Sequence, residues 1–128
     1  MAPYPEEEVM ALAKLGVVVL DCPDPRALAG FYAEVLGGAV EGDGDWIDLK
    51  VPGGQALAFQ RASGFVAPRW PAPDDSQQFH LDLVVEDLDA AEKGVLELGA
   101  KPLDAEDRSR GWRVYADPAG HPFCLCAC

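Results

Sequence analysis

The order of apolar runs, helix caps and turns between Lys14 and Arg61 returns between Phe79 and Cys126, offset by about 63 residues. In the first copy, Leu15–Leu20 (LGVVVL) is a β-branched run of strand length. Asp24 follows as a helix N-cap with Pro25 at the first helical position. Leu28, Phe31, Tyr32, Val35 and Leu36 recur at helical spacing, and Gly37-Gly38 ends the run. Ala39–Glu41, Trp46–Val51 and Ala56–Arg61 then read as strands, parted by Gly-Asp-Gly-Asp and Pro-Gly-Gly turns. The second copy has the strand Phe79–Val85, the cap Asp87, a stripe of Leu88, Ala91, Val95 and Leu98, and Gly99. Strands Lys101–Asp104, Trp112–Ala116 and Pro122–Cys126 complete it, with Asp117-Pro-Ala-Gly120 as the last turn. Aligning Asp24 with Asp87 places Val17 on His80 without a gap.

Each copy is therefore a βαβββ unit whose single helix covers one sheet face. The expected fold class is α+β: two βαβββ modules forming a curved mixed sheet with a central cleft. A chain of 128 residues suits one such domain. Its bounds are an N-terminal extension over 1–13, module one over 14–61, a linker over 62–78 and module two over 79–128. The extension reads either as a short acidic helix after Pro5 or as a solvated tail. The linker holds three prolines and is longer than an ordinary connection, so it is either functional or a joint between halves.

Acidic residues number 22 against 10 basic ones, for a formal charge of −12. A nucleic-acid partner needs a basic face, and an anionic membrane surface is disfavoured in the same way. No stretch approaches the roughly 20 apolar residues of a membrane span, and no secretory signal is visible, so a cytoplasmic location is expected. Cysteine placement agrees: Cys22 stands alone, while Cys124, Cys126 and Cys128 alternate along one strand rather than stapling distant loops. They read as small buried hydrophobes or as a soft-metal or redox cluster, although the spacing matches neither CxxC nor a four-ligand zinc pattern.

Strand alternation separates the faces. Phe79, Leu81, Leu83 and Val85 should meet the helices, leaving His80 and Asp82 on the other side. The same reasoning turns Cys124 and Cys126, Gln60 with Ala56 and Ala58, and Trp46, Asp48 and Lys50 toward the cleft. The candidate ligand-binding residues are Trp46, Asp48, Gln60, Trp70, His80, Asp82 and Cys124. His80 with Asp82 is either an imidazole tuned by a carboxylate for acid–base work or a polar pair satisfied by neighbouring strands. Trp70 is a lid or a dimer contact. Trp46 and Trp112 fit core positions, with stacking on a planar ligand as the other use. His121 in its Gly-His-Pro turn is structural or solvent-exposed.

The segments VLDCPDPRALAGFYAEVLG, HLDLVVEDLDAAEKGVLELGA and WRVYADPAGHPFCL together resemble the vicinal oxygen chelate superfamily, which includes glyoxalase I, bleomycin-resistance proteins and extradiol dioxygenases. The likeness covers roughly residues 14–126 and is strongest to its small glyoxalase-like subgroup. It implies paired βαβββ modules and a homodimer. Metal-dependent members hold their ion with four residues from the first and last strands of each module. Carried over, those positions are Val17, Gln60, His80 and Cys124, and valine has no donor atom. The expectation is thus a small-molecule-binding protein without a metal or other cofactor, taking a compact, partly apolar or aromatic ligand; drug sequestration is one version. The alternative is a metal-dependent lyase, isomerase or dioxygenase of the same fold using His80. A third reading is a module that docks to another protein.

Overall fold

The computed structural model describes residues 11–12, 15–69 and 79–127. Most of the extension, Trp70 with the second half of the linker, and Cys128 lie outside the described residues. Module one runs β1 (Val18–Cys22), α1 (Pro25–Leu36), β2 (Ala39–Asp43), β3 (Trp46–Lys50) and β4 (Leu57–Arg61). Module two repeats it with β5 (Leu81–Val84), α2 (Leu88–Glu97), β6 (Lys101–Asp104), β7 (Trp112–Ala116) and β8 (Pro122–Cys126). The sheets are separate, with strand orders β1-β4-β3-β2 and β5-β8-β7-β6. In each, the first strand lies parallel to the last and the remaining pairs are antiparallel.

The caps fall where the sequence places them. Asp24 accepts from the Ala27 amide at 3.2 Å and Asp87 from the Ala90 amide at 3.1 Å, each satisfying a donor that the first helical turn leaves unpaired. The first strand of each module departs from expectation. β1 begins at Val18 rather than Leu15 and runs on through Asp21 and Cys22, which pair with Gln60 and Arg61 of β4. β5 begins at Leu81, and Phe79, expected to face a helix, is 89% exposed. The cause is the partner strand: the residues before Pro122 spend their hydrogen bonds in the Asp117–His121 turn, so the ladder begins at Leu81 and Phe123.

The helix-side faces of both sheets share one core. Tyr32 stacks on Phe59 of its own module with centroids 5.8 Å apart, and Phe31 meets Phe123 of the other at 6.0 Å. α2 buries only Val95. Polar contacts hold it down instead: buried Arg113 on β7 reaches Asp89 at 2.9 Å, and Tyr115 donates to Glu92 at 2.7 Å. The opposite faces stay uncovered within the chain. Trp46 and Trp112 are 40% and 41% exposed and Val84 is 73% exposed, so the two tryptophans do not occupy the core positions considered for them. They sit on the outward side of the pleat, where alternation with buried Ile47 and Arg113 puts them.

Candidate functional site

The parallel register of β5 and β8 sets Asp82 directly across from Cys124, and alternation brings His80 to the same face. His80 Nε2 lies 3.2 Å from Asp82 Oδ1, closer than the backbone spacing alone requires. Antiparallel β7 adds Val114 opposite Cys124 and Trp112 opposite Cys126. These side chains, with Gly111 and Ala127, line a cavity of about 520 Å³. Its polar end is the His80–Asp82 pair and its walls are apolar, the composition of a small-molecule pocket.

Two further features fix its chemistry. Burial, reinforced by the Asp82 carboxylate beside it, pushes the Cys124 thiol up to about 12. The thiol is therefore neutral at physiological pH and is not an activated nucleophile. The guanidinium of Arg110 lies 3.7 Å from the Trp112 ring centroid, and its Nη2 donates to both the carbonyl and a carboxylate oxygen of Asp104, at 2.8 and 3.1 Å. Arg110 thereby holds the indole that forms one wall.

Trp46, Asp48 and Gln60 assemble elsewhere, on the outward face of the first sheet. Trp46 Nε1 donates to Asp48 Oδ1 at 3.0 Å, and Trp46 pairs with exposed Gln60 across β3 and β4. None of the three lines the cavity of the second sheet. Trp70 falls outside the described residues. Trp112 and Val114 are wall residues outside the candidate set that the sequence suggests, and Arg110 supports the Trp112 wall from behind. Alternation along β7 carried the signal for the first two, because Trp112 and Val114 share the pleat side of Cys124 and Cys126. Arg110 had no such signal, since it lies before the strand. His121 is structural: its Nδ1 is 2.8 Å from Asp117 and its Nε2 is 2.7 Å from the Asp21 carbonyl.

The model of the glyoxalase-like domain family matches residues 17–126. The chain belongs to that family. Among solved structures, this glyoxalase-like chain is similar to a glyoxalase/bleomycin resistance protein/dioxygenase family enzyme from Burkholderia phytofirmans PsJN, at TM-score 0.69 and 17% identity, covering 88% of this chain and 97% of that one. A glyoxalase family protein from Enterococcus faecalis matches at TM-score 0.64 and 26% identity, over 91% and 99% of the two chains. TnmS3, an antibiotic binding protein from Streptomyces sp. CB03234, matches at 0.58 and 18%, over 93% and 98%. A comparison with curated proteins finds no match. Among the described residues, no helix is long and apolar enough to cross a membrane.

The donor set implied by the glyoxalase-like fold is incomplete in this chain. Of Val17, Gln60, His80 and Cys124, the valine offers no lone pair and Gln60 belongs to the first sheet, away from the cavity that His80 and Cys124 line. A four-donor centre spanning both modules does not fit these residues. Three other donors do converge: a nitrogen of His80, a carboxylate oxygen of Asp82 and the sulfur of Cys124 lie within 4.8 Å of one another.

Proposed function

We propose that this glyoxalase-like protein binds a compact, partly aromatic small molecule in the cavity of module two, without a two-module catalytic metal centre. The observation that carries the reading is the cavity itself: about 520 Å³, walled by Trp112, Val114 and Ala127, with His80 and Asp82 as a localised polar end. A planar ligand stacks on the indole that Arg110 steadies, while the imidazole and carboxylate take its hydrogen bonds. The name of the antibiotic binding protein TnmS3 supports drug sequestration as one form of this role. The large negative charge disfavours anionic ligands, nucleic acid and anionic membranes.

The ligand-bearing state is a homodimer, in which a second copy covers the outward faces that carry Val19, Trp46, Val84 and Trp112. On this reading Trp46, Asp48 and Gln60 of one copy complete the wall opposite the cavity of the other. The thiols of Cys22 and Cys124, neither in a disulfide, fit a reducing compartment, here the cytoplasm.

The test is a screen of planar aromatic fragments against isotope-labelled protein, read by amide chemical shifts. Binders are expected to move Gly111, Val114, Cys124 and Ala127 together. Shifts confined to other surfaces, or none across the screen, overturn the assignment. The second reading, a metal-dependent lyase, isomerase or dioxygenase using His80, is favoured by the convergence of His80, Asp82 and Cys124.

A further inference from the structure

We propose that His80, Asp82 and Cys124 form a binding site for a soft divalent cation of the zinc class, built entirely within module two. The parallel pairing of β5 with β8 makes the site. Asp82 and Cys124 are register partners, and His80 stands one pleat repeat before Asp82 on the same face. Their donor atoms lie within 4.8 Å of one another, and His80 Nε2 is already 3.2 Å from Asp82.

In a tetrahedral zinc site, metal–ligand bonds of about 2.0–2.3 Å put donor atoms roughly 3.5 Å apart. Closing the remaining distance calls for side-chain rotation at His80 and Asp82, which are the more exposed members, while Cys124 stays anchored in β8.

The donor chemistry selects the ion. One imidazole nitrogen, one carboxylate oxygen and one thiolate sulfur suit zinc and its borderline-soft neighbours. Magnesium and calcium require oxygen shells, and the iron triad of oxygenases requires two imidazoles. Cys124 binds as the thiolate, and its proton passes to solvent as the sulfur–metal bond forms; no electron changes hands. With three protein donors, a tetrahedral ion would keep a fourth position for water or for a polar atom of a ligand. No donor comes from module one, which separates this site from a centre shared between modules.

The inference stands apart from the proposed small-molecule function, and the experiment keeps the two distinct. Untagged full-length protein, stripped with chelator, is titrated with cobalt(II) as a spectroscopic stand-in and then with zinc. We expect one cobalt per chain, a thiolate-to-cobalt charge-transfer band, visible bands of tetrahedral intensity, and displacement of cobalt by zinc. Cys124→Ser abolishes the charge-transfer band. Asp82→Asn weakens zinc binding by about 10-fold or more, within the range seen for altered metal surroundings. Lys93→Ala, at an exposed position of α2 outside the cavity, leaves both unchanged. Circular dichroism confirms that each variant folds, and Cys124→Ala provides a second check at the thiol.

The proposal is overturned by cobalt binding without the charge-transfer band, or by its persistence in Cys124→Ser. It is equally overturned if Gln60→Ala loses as much affinity as Asp82→Asn, since the centre would then span both modules. Aromatic fragments that bind the cavity of a protein taking up no metal defeat this inference alone. Metal uptake with no cavity-directed fragment defeats the proposed function alone.

Discussion

The phenol of Tyr32 on α1 donates a 2.7 Å hydrogen bond to Asp117 Oδ2, a carboxylate of the other module with no exposed side-chain surface. His121 Nδ1 meets the same oxygen at 2.8 Å, and the amides of Ala119, Gly120 and His121 donate to Oδ1. A buried charge is tolerated here because both of its oxygens are supplied with donors. Burial and the neighbouring Asp117 hold the Tyr32 hydroxyl well above its ordinary range, so it remains a donor throughout the physiological interval.

Removing that donor tests the latch. Tyr32→Phe keeps the ring stacked on Phe59 but leaves Asp117 Oδ2 with His121 alone. The expected cost is about 1–2 kcal/mol, measured by urea unfolding with an unchanged m-value. Asp117→Ala, which strips the turn and the partner imidazole together, should cost about 3–5 kcal/mol. Equal stability of Tyr32→Phe and the parent would remove the bond from any role in joining the modules.

His121 makes stability depend on pH. Both ring nitrogens face acceptors, a carboxylate oxygen and the Asp21 carbonyl, so both are satisfied as donors only in the imidazolium form. Burial alone would lower its pKa; the Asp117 carboxylate and Asp21 outweigh that and raise it. The folded state therefore binds the proton more tightly than the unfolded chain. The contribution is complete below about pH 6.5, the unfolded value, and is lost as pH rises through the folded one. Thermal melts of the parent should weaken across that window relative to His121→Gln. Parallel curves would refute the linkage.

Gly120 is required by its surroundings as well as its backbone. Its φ is 105°, and a side chain there would run into Ala67 in the described part of the linker. Gly120→Ala is expected to destabilise by roughly 2–4 kcal/mol, from left-handed strain added to the clash. The companion change Ala67→Gly should recover the steric share in a double-mutant cycle. No recovery would mean that the two positions do not touch.

Trp112 and Arg110 should separate binding from support. For a cavity-directed ligand, Trp112→Ala is expected to weaken affinity about 10-fold or more through lost ring contact. Arg110→Met removes the clamp but keeps the indole, and a smaller loss of about 2–5-fold is expected. Calorimetric titration measures both. A larger effect from Arg110→Met would make the guanidinium itself a ligand contact.

The fold was legible because its two strongest local signals, the aspartate caps and the glycine stops, occur twice at a fixed interval. Asp24 and Asp87 start the helices, and Gly37 and Gly99 carry the positive φ angles that end them. The strand starts were less legible, since β-propensity runs on past the point where a partner exists, as at Leu15 and Phe79. At the site, alternation put His80, Asp82 and Cys124 on one face. It did not say that Trp46, Asp48 and Gln60 belong to a different sheet, because period-two patterning fixes a side and not a neighbour. The latch was invisible for the same reason: Tyr32 reads as one more apolar stripe residue, and its phenol finds Asp117 only after the modules meet.

The ring of Phe123 touches Phe31, Tyr32 and Tyr115, so the same side chain belongs to both halves of the tandem. A gene fragment encoding either half alone would present those aromatics to water and would fold only by recruiting a twin. Denaturation should accordingly be a single cooperative event in which both halves lose their packing together.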